Sequence, residues 1–119
     1  APGQDFGAYS AAKAAEAQLA RVLAIENGAF GIRSNMVNPD AIFKDTKLWS
    51  DRIREDRAQA HGIAVENVEE FYRNRSLLKT AVTAEDVAEA ALFLASDRSL
   101  KTTGTMLPVD GGVREAFPR

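Results

Sequence analysis

A chain of 119 residues with 45% apolar and 27% charged side chains has the composition of one ordinary globular unit. Its formal net charge of −2, without blocks of Lys and Arg, excludes a phosphate-tracking nucleic-acid surface, and no apolar run nears the roughly 20 residues needed to cross a bilayer. No cysteine is present, so disulfides, thiol nucleophiles and thiolate metal sites are excluded, nothing calls for an oxidising compartment, and a cytoplasmic location is expected.

From Ala8 to about Glu26 the residues are Ala, Leu, Glu, Gln and Arg with no interior Gly or Pro, which predicts a helix stopped by Asn27-Gly28. Gly31 to Val37 reads as a short strand closed by Pro39, with a loop after Val37. The charged stretch from about Thr46 to Leu78, broken at His61-Gly62, predicts two helices at about 47–61 and 65–76, with Trp49, Ile53, Val68, Phe71 and Tyr72 as their apolar contacts. Thr83 followed by Glu85 and Asp86 reads as a helix start, and Val87, Ala90, Ala91 and Leu94 continue it to Ser96. Thr105 to Val109 is a second strand, ended by the turn Asp110-Gly111-Gly112. Two strands joined by a long helical crossover predict parallel pairing, hence an α/β fold. A parallel sheet of two strands needs neighbours, so one edge of the first strand is expected to meet a partner from elsewhere.

Chemistry concentrates at Tyr9 and Lys13, four apart and so on one helix face. A phenol titrates near 10 in isolation, and an adjacent ammonium favours its ionised form. Taken alone, such a pair is usually an exposed tyrosine beside an exposed lysine. Here Tyr9-Ser10-Ala11-Ala12-Lys13 is followed by Gly31-Ile32-Arg33-Ser34-Asn35-Met36-Val37-Asn38-Pro39, by Ala91-Leu92-Phe93-Leu94-Ala95-Ser96-Asp97, and by Thr103-Gly104 and Val109-Asp110-Gly111-Gly112. In order and spacing these blocks resemble the short-chain dehydrogenase/reductase family, over nearly the whole chain from about Phe6 onward.

The resemblance implies that residues 1–119 are the C-terminal part of a Rossmann-like parallel sheet with flanking helices, in one dehydrogenase domain whose helical insertion at about 44–79 covers the substrate. It implies Tyr9 as general acid/base and Lys13 as the group that tunes it and binds the nicotinamide ribose. The cofactor is NAD or NADP, with NAD favoured, and Pro39, Asp40 and Ile42 line its nicotinamide end, the Ile42 backbone meeting the carboxamide. Two departures stand out. The family usually has Gly where this chain has Asp40, and Thr or Ser where it has Lys44. Asp tolerates positive φ better than most residues, which would preserve the turn, and Thr46 is the nearest replacement hydroxyl. The family's glycine-rich phosphate loop, adenosine-selecting residue and catalytic serine all precede the tyrosine by more than eight residues, so this stretch by itself is expected to be inactive.

Within the family, Val37 to Phe43, Glu70 to Lys79 and Asp110 to Arg119 look like the carboxyl-terminal portion of bifunctional rhamnulose-1-phosphate aldolase/short-chain dehydrogenase proteins. That implies a small hydroxyaldehyde or alcohol such as lactaldehyde as substrate. The stripe Ala8, Ala11, Ala12, Ala15 permits close helix approach, and the equivalent helix in the family packs against a second subunit, so a homodimer or higher homo-oligomer is expected. His61 is the sole histidine; a structural or solvent-facing role is expected of it, with a substrate contact as the alternative, a helix end favours its charge, and no metal site is expected. Trp49, Phe43, Phe71 and Tyr72 serve either as a lid or as plain packing. Arg114 and Arg119 read as an exposed tail. The rival reading is a catalytically degenerate dimerisation or scaffold module, supported by Asp40 and Lys44.

Overall fold

The structure, a computed structural model, describes residues 7–118. In chain order it comprises α1 (Gly7–Asn27), β1 (Met36–Pro39), α2 (Asp51–His61), α3 (Val68–Arg75), α4 (Ala84–Ala95) and β2 (Met106–Val109), with single 3-10 turns at Gly28–Phe30, Val65–Asn67, Asp97–Ser99 and Arg114–Ala116. The fold is α/β, and the chain divides into two compact units. Among the described residues, one is built from 7–38 with Ala90–Leu107, the other from Pro39–Glu89 with 108–118.

The two strands pair with each other. Met36 N–H donates to the Thr105 carbonyl at 2.9 Å and Asp40 N–H to the Val109 carbonyl at 3.2 Å. Both partners advance together along the chain, which is parallel pairing, as the crossover predicts. Residues alternate in direction along a strand, so Val37 and Pro39 on β1 and Pro108 on β2 face away from this ladder. The donors that the prolines lack are therefore not missed there, and β1 runs through Pro39 rather than stopping at Val37.

The strand also starts later than the sequence suggests. Gly31 adopts φ 77° and its N–H bonds the Gly28 carbonyl, Ile32 N–H reaches back to Asn27, Ser34 N–H donates to Thr103 Oγ1 at 3.0 Å, and Gly104 N–H donates to the Ser34 carbonyl at 2.7 Å. These groups close a helix end and hold the 103–104 turn, and the ladder with β2 starts at Met36.

In the first unit Arg33 is the main polar fastening. Its guanidinium donates to the carbonyls of Leu94 (2.7 Å), Ser96 (3.2 Å) and Thr102 (3.4 Å) and to Ser99 Oγ (3.1 Å). It thus satisfies carbonyls left open at the end of α4 and sets a positive charge at that helix's negative pole. Asn35 continues the fastening, its Nδ2 donating to the Thr102 carbonyl at 2.9 Å and its Oδ1 accepting from Thr105 N–H at 3.1 Å. Ala24, Leu94 and Ser99 are the buried residues around this network.

In the second unit the buried residues include Ala58, Val68, Ser76, Val82 and Asp110. Ser50 Oγ accepts from Ile53 N–H at the start of α2, and Gly62, with φ 66°, ends it by returning its N–H to Ala58 and Gln59. The helix begins at Asp51 rather than 47 because Thr46 Oγ1 accepts from Leu48 N–H and so closes a turn of its own. Past α3, Leu77 and Leu78 N–H donate to the carbonyls of Gly112 (2.8 Å) and Gly111 (3.0 Å), and Ser76 bridges Val113. Gly111 has φ 68°, and a Cβ there would stand 3.0 Å from Ser76 Cβ, so the turn needs glycine twice over. α4 opens with a reciprocal cap: Asp86 Oδ2 accepts from Thr83 N–H at 2.8 Å while Thr83 Oγ1 accepts from Asp86 N–H at 3.3 Å.

Replacing Arg33 by Met removes a charged donor from four acceptors at and beyond the end of α4, although the Leu94, Ser96 and Thr102 carbonyls each keep a second donor. The expected cost is about 2–3 kcal/mol in urea unfolding, and Arg33→Lys should recover only a minor part because a point charge cannot fork. A loss below about 0.5 kcal/mol, the usual scale of a plain surface substitution, would contradict this role.

Candidate active site

Tyr9 and Lys13 lie in the first half of α1, whose Ala-rich sequence gives the helix no reason to bend. One turn separates them, and Lys13 Nζ stands 5.6 Å from the centre of the Tyr9 ring. The helix thus brings the pair together as its spacing requires. Lys13 also meets Glu16 at 3.3 Å, with both side chains more than half exposed. An exposed pair of this kind contributes about 0–1 kcal/mol, too little to hold the ammonium against a better partner. Its three donors fit an acceptor such as a ribose hydroxyl.

Pro39 ends β1, and Asp40 and Ile42 follow it, each half-buried. Ile42 makes no backbone hydrogen bond among the described residues, which leaves its amide and carbonyl fit to meet a carboxamide. Asp40 is not in the left-handed region; among the described residues the positive-φ residues other than glycine are Asp45 and Lys79. The expectation that aspartate stands in for glycine by tolerating positive φ is therefore corrected. Its carboxylate has another use: Oδ1 accepts from Arg75 Nη2 at 2.5 Å, with the Asp40 side chain 14% exposed. The guanidinium of Arg75 in turn lies 4.4 Å over the Tyr72 ring. Thr46, the candidate replacement hydroxyl, already accepts from its own turn.

The aromatic residues of the insertion pack on one another. Phe43 stacks on Trp49 at 4.2 Å, Tyr72 meets both rings edge-on, and His61 lies 4.4 Å from Phe71. Arg54 spans α2 and α3 by pairing with Glu69 at 2.9 Å and covers Phe43. The packing role is thus met for all four aromatic residues, and any cover they provide acts as one cluster.

Burial pushes the Tyr72 phenol above its ordinary value, and Arg75 and Arg57 only partly oppose this. Tyr72 therefore stays protonated at neutral pH. His61 is held below 6.5, first by burial and then by Arg57 and Arg75. The sequence expectation that a helix end favours its charge is reversed, because desolvation and two guanidinium groups outweigh one helix terminus. Arg114 is exposed on its 3-10 turn, and Arg119 lies outside the described residues. Arg33 and Arg75 were missed as organising residues. The one signal for Arg75 was Asp40 itself, a carboxylate in a half-buried turn that calls for a cation.

Residues 1–114 match the family model described as Enoyl-(Acyl carrier protein) reductase, and the chain belongs to the short-chain dehydrogenase/reductase family. Members of that family use NAD or NADP. An uncharacterized oxidoreductase of Bacillus subtilis strain 168, YuxG, is 49% identical over 117 residues, covering 98% of this chain and 17% of that protein. L-xylulose reductase of Caenorhabditis elegans is 34% identical over 93% of this chain and 39% of its own length. Among solved structures, sorbitol-6-phosphate 2-dehydrogenase SrlD from Erwinia amylovora has a TM-score of 0.78 at 31% identity, covering 87% of this chain and 40% of that one. The chain thus spans about two-fifths of the latter two proteins and under a fifth of the first.

The depressed pKa of His61 carries a sign for stability. The unfolded chain takes up this proton first as pH falls, so the contribution of the neutral ring is complete above about 6.5 and declines from there down to the lowered folded value. Urea midpoints should fall between about pH 7.5 and 5.5, and His61→Gln should flatten that fall. Parallel profiles for the two proteins would contradict the assignment.

Proposed function

We propose that this chain carries the proton-transfer residues of an NAD(P)-dependent oxidoreductase acting on a small hydroxyaldehyde or alcohol, with NAD as the favoured cofactor. The observation that carries the reading is the Lys13 ammonium one turn from the Tyr9 phenol. Lys13 offers donors to the ribose of the cofactor. Tyr9 then takes the hydroxyl proton of an alcohol during oxidation, or returns it to the carbonyl oxygen during reduction. When bound, the nicotinamide supplies the hydride exchange that completes the redox balance. Pro39, Asp40 and Ile42 border its carboxamide end. For an aldehyde going to an acid, Tyr9 deprotonates the hydrate.

Lactaldehyde is our proposed substrate, in a cytoplasmic protein that also bears a rhamnulose-1-phosphate aldolase domain. Two facts support the wider reading. The names of two similar proteins refer to xylulose and sorbitol phosphate, which are small polyhydroxy compounds. The B. subtilis relative is more than twice as long as the C. elegans one by the fractions covered, which leaves room for a second domain. No helix among the described residues is long and apolar enough to cross a membrane.

Self-association through α1 belongs to the same proposal. Ala8, Ala12, Ala15, Leu19 and Leu23 recur at helical spacing and are all exposed, Leu19 at 58%. Small residues followed by leucines let a second helix approach closely. The scaffold alternative loses part of its basis, since the Asp40 carboxylate pairs with Arg75.

Turnover of lactaldehyde and of a panel of short polyols with NAD and NADP, using the full-length protein, tests the proposal. Tyr9→Phe should lower kcat about 10²–10⁴-fold, the usual scale of a lost acid/base group. Undiminished turnover in that variant would sink the catalytic role of Tyr9, and no turnover of any panel member by the unaltered protein would sink the substrate class.

A further inference from the structure

We infer that the ion pair between Asp40 and Arg75 is a positioning device, which fixes α3 and its aromatic face to the segment Pro39–Ile42. The inference deepens the oxidoreductase reading and rests on it for the role of that segment. Three observations converge on the pair.

Asp40 has a rigid backbone, because its N–H is bonded to the Val109 carbonyl at the end of the ladder. Its carboxylate therefore projects from a fixed point immediately after β1. Arg75 is the last residue of α3, where a cation is favoured by the helix dipole, and the next residue, Ser76, is 1% exposed and bridged to Val113. The far end of the pair is thus anchored as well. Between these anchors the guanidinium bonds Asp40 and covers Tyr72, which contacts Phe43, Trp49, Phe71 and His61. One side chain links the loop after β1 to the centre of the aromatic cluster.

Partial burial of both groups limits screening by salt, so the pair holds better than an exposed one. A planar fork lying on a ring while bonding a carboxylate is a geometry that lysine cannot reproduce. Glycine at position 40 would offer no such attachment. Ligand contact along Pro39–Ile42 would consequently be felt at α3, and α3 motion would displace that segment. Asp40 and Arg75 act here through other residues, as positioning groups for the cover over the substrate.

Hydrogen exchange of the full-length protein, read peptide by peptide with and without saturating NAD, tests the inference. Without cofactor, Arg75→Met should speed exchange of Val68–Arg75 and Asp51–His61 about fivefold, while Ala84–Ala95 changes less than about twofold. Arg75→Lys should fall between, and Asp40→Asn combined with Arg75→Met should be no faster than Arg75→Met alone. With NAD, α3 should gain protection in the unaltered protein and not in Arg75→Met. Unchanged exchange, acceleration spread equally into Ala84–Ala95, or additive effects in the double variant would each overturn the ion pair's hold on α3. Cofactor protection that survives in Arg75→Met would overturn the coupling. Absence of any NAD effect in the unaltered protein contradicts the oxidoreductase reading and the coupling to cofactor, while the cofactor-free comparison still decides whether the pair holds α3.

Discussion

Parallel pairing of Met36 with Thr105 and of Asp40 with Val109 is the constraint from which the other placements follow. A parallel pair needs a crossover, and here α2, α3 and α4 supply it. At one end of the ladder the preceding residues Arg33 and Asn35 reach the end of α4 and the segment that leads into β2. At the other end Asp40 leaves the strand with its carboxylate already committed to Arg75. Slipping the register by one residue would reverse the side that each strand residue faces and turn the missing donors of Pro39 and Pro108 into the ladder. The prolines therefore act as register markers as well as edge residues.

The two tyrosines stand in different environments. Tyr9 is exposed, with the Lys13 ammonium 5.6 Å from its ring centre. Tyr72 is enclosed by rings, and burial outweighs the two guanidinium groups near it. At His61 nothing competes: burial, Arg57 and Arg75 all act against the imidazolium.

Local sequence made the helices legible. An Ala-rich stretch without interior Gly or Pro gave α1, Gly62 gave the end of α2, and Thr83 with Asp86 gave the start of α4, because each signal acts within one turn. The Tyr9–Lys13 pair was legible for the same reason. What escaped depends on contacts across the chain. The start of β1 is set by bonds from Ser34 to Thr103 and Gly104, about 70 residues away by numbering. The use of Asp40 is set by Arg75, and the charge of His61 by burial and by Arg75 on the next helix. Pattern reading can note that Asp40 is unusual, but it cannot find the cation that explains it.

At the centre of the account is the proposal that Tyr9 exchanges a proton with the substrate while Lys13, one turn away, supports it. The pH dependence of kcat/KM in full-length Lys13→Met is the most direct measurement of that claim. With the ammonium removed, turnover near neutrality should fall about tenfold or more. A profile that keeps its position and height without Lys13 would contradict the account.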